Sequence, residues 1–194
     1  TDGTPKGTQL VKELGNVDYL NLTNFKDKIY FPINQENKNQ LWKTDGTPKG
    51  TQQLKNFGAF QLANFYPGSD PDILYFTTVK DDGNYQTPNP EQLWKTDGTP
   101  KGTQQLKNFG EFQLENLYSW LDPDTLYFTT VKDDGNYATP DPKQLWKTDG
   151  TPKGTQLVKE LGNVDYLNLT NFKDKIYFPI NQENKNQLWK TDGT

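Results

Sequence analysis

The strongest constraint on this chain is that it repeats. The tetrapeptide TDGT recurs with its aspartate at Asp2, Asp45, Asp97, Asp149 and Asp192, at spacings of 43, 52, 52 and 43 residues. Residues 1–47 are identical to residues 148–194, and units 44–95 and 96–147 differ at ten of 52 positions. A unit of this length has too little apolar surface to fold alone, so stacked neighbours must share a core. The sequence therefore reads as one repeat domain, 1–194, built of units 1–43, 44–95, 96–147 and 148–194.

Each unit carries four short strand-like segments punctuated by Gly, Pro, Asn and Asp. In the first they are YLNLTNF (19–25), KIYFPIN (28–34), QLWKT (40–44) and TQQLKNF (51–57). In the second they are FQLANFY (60–66), ILYFTTV (73–79), QLWKT (92–96) and TQQLKNF (103–109). The extra nine residues of the longer units fall in two loops, which leaves strand register untouched.

The link between the third and fourth strands, TDGTPKG, is turn chemistry. Asp45 can accept backbone N–H groups as an Asx turn, Gly46 can take positive φ, and Thr47–Gly50 suits a type I turn with proline second and glycine fourth. This accounts for the aspartate without a metal or a reaction.

Strand counting gives the expected architecture, an all-β propeller of four four-stranded blades. A period of 43 to 52 residues suits a four-stranded blade. The chain opens on an unpartnered fourth strand, TQLVKEL (8–14), and ends on a unit with only its first three strands. Pairing 8–14 with 187–191 would complete the last blade and close the ring within one chain. The same complementary ends could instead join neighbouring molecules head to tail.

The run LTNFKDKIYFPINQENKNQLWKTDGTPKGTQLVK resembles the bacterial secreted repeat family named for its ELWxxDGT motif, with Gln40, Gln92, Gln144 and Gln187 where Glu is usual. The resemblance covers essentially the whole chain. It implies an extracellular or cell-surface repeat without an assigned reaction. The strand order also resembles kelch-type blades, and fold does not fix function.

Composition narrows the chemistry. The chain contains no Cys, His, Met or Arg, so thiolate and imidazole chemistry, and bidentate arginine recognition of phosphate, are absent. A pI near 4.9 argues against nucleic acid as partner, and no apolar run is long enough to span a membrane as a helix. Mean hydropathy is low, at -0.98, but 13% aromatic residues supply the buried area a fold requires. The chain begins at Thr1, consistent with a processed protein or a piece of a longer one.

Carboxylates are the remaining candidates for chemistry. Asp81 with Asp82, and Asp133 with Asp134, sit in KDDGNY loops that lack most donors of a calcium loop and read as solvated turns. Nothing sets two carboxylates at a glycosidase separation. An enzyme is not expected, and no cofactor or metal site is assigned. Asn21 and Asn168 open NLT sequons but fall in expected strands, which argues against glycans there.

Trp42, Trp94, Trp146 and Trp189 share one strand position, and Tyr30–Phe31, Tyr75–Phe76, Tyr127–Phe128 and Tyr177–Phe178 another, as core framework. Trp120 breaks the pattern, because it lies in YSWLD where the sister unit has YPGSD. With Tyr66, Tyr118, Tyr85 and Tyr137 it forms the set of candidate ligand or partner contacts. Two functions follow: a structural, adhesive or self-assembling repeat whose partner is another copy of itself, or a lectin-like propeller that offers loop aromatics to a glycan.

Overall fold

A computed structural model of the chain describes residues 3–15, 17, 20–35, 38–68, 70–80, 90–118, 124–132, 141–164, 167–182 and 185–193. These residues form four antiparallel sheets in chain order and no helix. The first sheet is β1 (Thr23–Phe25), β2 (Lys28–Ile33), β3 (Asn39–Thr44) and β4 (Gln52–Gly58). The second is β5 (Gln61–Pro67), β6 (Leu74–Val79), β7 (Glu91–Thr96) and β8 (Gln104–Asn108). The third is β9 (Gln113–Tyr118), β10 (Leu126–Val131), β11 (Pro142–Thr148) and β12 (Gln156–Asn163). The fourth has three strands, β13 (Thr170–Phe172), β14 (Lys175–Gln182) and β15 (Lys185–Thr191).

Each sheet is a meander in which sequence neighbours pair. In the two inner sheets the second strand is the most buried, because it meets a neighbouring sheet on both faces: Leu74, Phe76, Thr77 and Thr78 are fully buried. A bulge recurs where the third strand meets the fourth, at Leu41/Trp42, Leu93/Trp94 and Leu145/Trp146. It accommodates one extra residue in the fourth strand.

The cores lie between consecutive sheets. Tyr30, Leu41 and Leu54 of the first sheet pack with Leu62, Leu74 and Phe76 of the second. Tyr75, Leu93 and Leu106 of the second pack with Leu114, Leu126 and Phe128 of the third. Tyr127, Leu145 and Leu161 of the third pack with Leu169, Ile176 and Phe178. Among the described residues each core cluster draws on two consecutive sheets, as the repeat length requires.

Ring closure by residues 8–14 is not formed. Among the described residues that segment carries no strand, β15 is hydrogen-bonded to β14 alone, and no sheet closes the array. Leu10 is 74% exposed and Leu188 76% exposed, so the two expected partners stand apart in the chain. The segment instead lies against the first sheet, where the Lys12 ammonium donates to the Thr51 carbonyl at 3.2 Å and stands 5.3 Å from the centroid of Trp42. Packing on the face of the first sheet is available to it within this chain.

Candidate interaction surfaces

The TDGTPKG turn is a closed hydrogen-bond unit. The Asp45 carboxylate accepts the Thr47 N–H at 2.9 Å and the Thr47 hydroxyl at 2.7 Å, which is the expected Asx turn. These bonds hold the Asp45 carboxyl below the usual carboxylate range. Gly46 has φ 87°, as its place in the turn demands. The rest differs from a simple type I turn: the Thr47 carbonyl accepts the Thr51 N–H at 3.0 Å, and the Gly50 N–H goes to the Thr47 hydroxyl at 2.9 Å. Gly50 is required for space, because a Cβ there would overlap the Asp45 carboxylate; Gly102 and Gly154 stand likewise against Asp97 and Asp149. The threonines flanking the turn share a hydroxyl–hydroxyl bond, 2.7 Å between Thr44 and Thr51.

The same turn joins one sheet to the next. Tyr30 of the first sheet reaches Gly98 in the second sheet's turn so closely that a Cβ there would overlap its hydroxyl, and Lys43 donates to the Gly98 carbonyl at 2.7 Å. Tyr127 and Lys147 of the third sheet repeat the arrangement on Gly193. Between the second and third sheets the latch is looser, since a Cβ on Gly150 would stand 3.1 Å from the Tyr75 hydroxyl and 3.7 Å from Lys95 Nζ. There a cavity of about 490 Å³ opens, lined by Asp70, Ile73, Tyr75, Lys95, Asp124 and Asp149. Burial pushes the Tyr75 hydroxyl up to about 12, so it stays protonated.

A second contact runs along the fourth strands. Lys55 lies over Trp94, Lys107 over Trp146 and Lys159 over Trp189, each lysine on the indole of the following sheet, at 5.2, 5.0 and 4.4 Å from the ring centroid. A third fixes the start of the next sheet. Asn34 bonds both backbone groups of Leu62, at 3.0 and 3.1 Å, and the Glu91 carboxylate accepts the Leu114 N–H at 2.6 Å. Burial raises the Glu91 carboxyl above its ordinary value.

The candidate ligand aromatics divide by position. Tyr66 is half-buried and packs against the core between the second and third sheets. The Tyr118 hydroxyl donates to the Leu167 carbonyl at 3.2 Å, across to the fourth unit. Trp120, Tyr85 and Tyr137 lie outside the described residues, as do the KDDGNY aspartates. Among the described residues no group of three or more acidic side chains could hold a metal ion. The inter-sheet roles of Lys43, Lys95 and Lys147 escaped sequence reasoning, as did Glu91. For Glu91 a signal existed, because position 91 is one of the ten that differ between sister units, with Lys143 at the equivalent place. Lys143 pairs with Glu115, which itself replaces Ala63.

No protein-family model and no curated protein matches the chain. Solved structures match by fold. An uncharacterised protein from Listeria monocytogenes EGD-e aligns over 95% of this chain and 54% of its own, at 10% identity and a TM-score of 0.53. An acylaminoacyl peptidase from Pyrococcus horikoshii aligns over 90% of this chain and 32% of its own, at 10% identity and a TM-score of 0.52. The chain thus spans about a third to a half of these proteins' length. The neighbours are propeller-like, in keeping with the all-β array, and identity this low shows the fold alone.

Proposed function

We propose that this chain is a non-enzymatic repeat scaffold, a structural or adhesive module whose four sheets are successive blades of a propeller-type array. The observation that supports this is the commitment of the recurring polar and aromatic residues to holding sheets together. The tyrosine and lysine that reach the next DGT turn, and the lysine that covers the next tryptophan, are occupied between blades at successive interfaces. An extracellular or cell-surface setting is proposed with it, on the ELWxxDGT-type resemblance. Four strands per blade hold for three sheets, and we take the three-stranded fourth sheet to be completed by a segment with the sequence of 8–14.

The carbohydrate-binding alternative draws on Trp120, Tyr85 and Tyr137, since Tyr66 and Tyr118 are engaged in packing between sheets. A glycan array probed with the wild-type chain and with Trp120→Ala separates the readings. The scaffold reading expects no glycan retained above background. Retention that disappears with Trp120→Ala would replace it with a lectin.

A further inference from the structure

Residues 1–47 and 148–194 have one sequence in two surroundings, and the difference in their burial defines a binding partner. In the fourth unit Leu167, Leu169 and Ile176 are buried against Tyr127 and Leu145 of the preceding sheet. Their twins in the first unit, Leu20, Leu22 and Ile29, are 39%, 60% and 37% exposed. The opposite face behaves in reverse. Phe25 and Leu41 are buried against the second sheet, at 7% and 0%, whereas their twins Phe172 and Leu188 are 56% and 76% exposed. Each end of the array therefore displays the surface that its twin shows being covered, and what covers it is a neighbouring sheet of the same repeat.

The exposed edge is as specific as the faces. β12 pairs with β11 through Gln144–Glu160, Leu145–Lys159, Trp146–Leu157 and Lys147–Gln156. Residues 155–161 have the sequence of 8–14, and 144–148 that of 187–191. We propose that β15 accepts residues 8–14 of a second copy of this chain, in the register Gln187–Glu13, Leu188–Lys12, Trp189–Leu10 and Lys190–Gln9. This deepens the scaffold reading above and rests on it.

The donor segment is already placed for the task. Lys159 lies on Trp189 of the following sheet while its own strand pairs with β11. Lys12 lies on Trp42 in the same way, so residues 8–14 stand toward the first sheet as a fourth strand stands toward the sheet that follows it. Docking a second copy's fourth sheet there would cover Leu20, Leu22 and Ile29 with Tyr177 and Leu188, the equivalents of Tyr127 and Leu145. The contact is heterologous, so it propagates into a filament, or into a ring of copies if its rotation closes. Its strand-addition chemistry is that of any exposed sheet edge.

Sedimentation velocity over a concentration series tests the proposal on the full chain. Wild type is expected to form concentration-dependent species at multiples of its mass. Leu188→Lys places like charges opposite Lys12 of the second copy, and Leu10→Pro removes a donor from the incoming strand; each is expected to weaken association by about tenfold or more. Both sites are exposed and lie outside the cores, and far-ultraviolet circular dichroism would verify that each variant folds. Mixed together, the two variants retain one competent donor and one competent acceptor and are expected to form a dimer that grows no further. A wild-type chain monomeric at its highest soluble concentration would overturn the proposal, as would assembly indifferent to both variants. Neither result bears on glycan retention, so this failure is distinguishable from failure of the scaffold reading.

Discussion

The Lys159 ammonium stands 4.4 Å from the centroid of the Trp189 ring, joining the third sheet to the fourth. The relationship recurs at each sheet junction and once more between Lys12 and Trp42. A cation over an indole contributes about 0.5 to 2 kcal/mol, depending on how far water is excluded. Lys107→Met keeps most of the stem and removes the charge, so a loss in that range is expected in urea unfolding. Trp146→Leu in the same background should add less than it does alone, because the two residues are coupled.

The DGT turn depends on two glycines for different reasons. Gly46→Val meets a backbone at φ 87°, whereas Gly50→Ala meets the Asp45 carboxylate. Each is expected to cost about 1 to 3 kcal/mol. Only the second should be relieved by removing the carboxylate: in a double-mutant cycle, Gly50→Ala should cost at least about 0.5 kcal/mol less when Asp45 is alanine. Gly46→Val should show no such relief. Equal coupling of both glycines to Asp45 would contradict the division of roles.

Much of this was legible in the sequence, and the exceptions are instructive. LYFTTV and QLWKT announce their strands within two residues, because β-branched and aromatic runs bounded by turn residues have one economical use. The segment 19–25 was expected as a full strand, but β1 spans only Thr23–Phe25. Residues 8–14 were expected to pair and do not. The second departure occurs at an end of the array, where residues 156–161 of the twin segment lie in β12 and pair with β11, and no local pattern encodes whether such a neighbour is present. The first does not depend on a neighbour, because β13 is equally short at Thr170–Phe172. The latch lysines escaped for a related reason: a lysine on an alternating strand reads as solvated until the next turn is seen to lie over it.

Glu91 gives the stability a pH dependence of known sign. Burial raises its folded-state pKa, so ionisation opposes folding. Its contribution is full below the unfolded value of about 4.3 and falls as pH rises through the folded value. Glu91→Gln stays neutral and can still accept the Leu114 N–H through its carbonyl oxygen. The variant should therefore gain in melting temperature relative to wild type as pH rises from the acid side toward neutrality. A difference that shrank over that interval would contradict the assignment.

The most direct measurement compares Leu41→Ala with Leu188→Ala by chemical unfolding, at concentrations low enough to keep the chain monomeric. The two leucines are one position of one sequence, differing only in what covers them, 0% against 76% exposed. An open array whose cores lie between sheets expects Leu41→Ala to lose about 2 to 5 kcal/mol and Leu188→Ala less than ~0.5 kcal/mol. Equal losses at the two positions would mean that the outer face of the fourth sheet is covered within a single chain, and would contradict the open array.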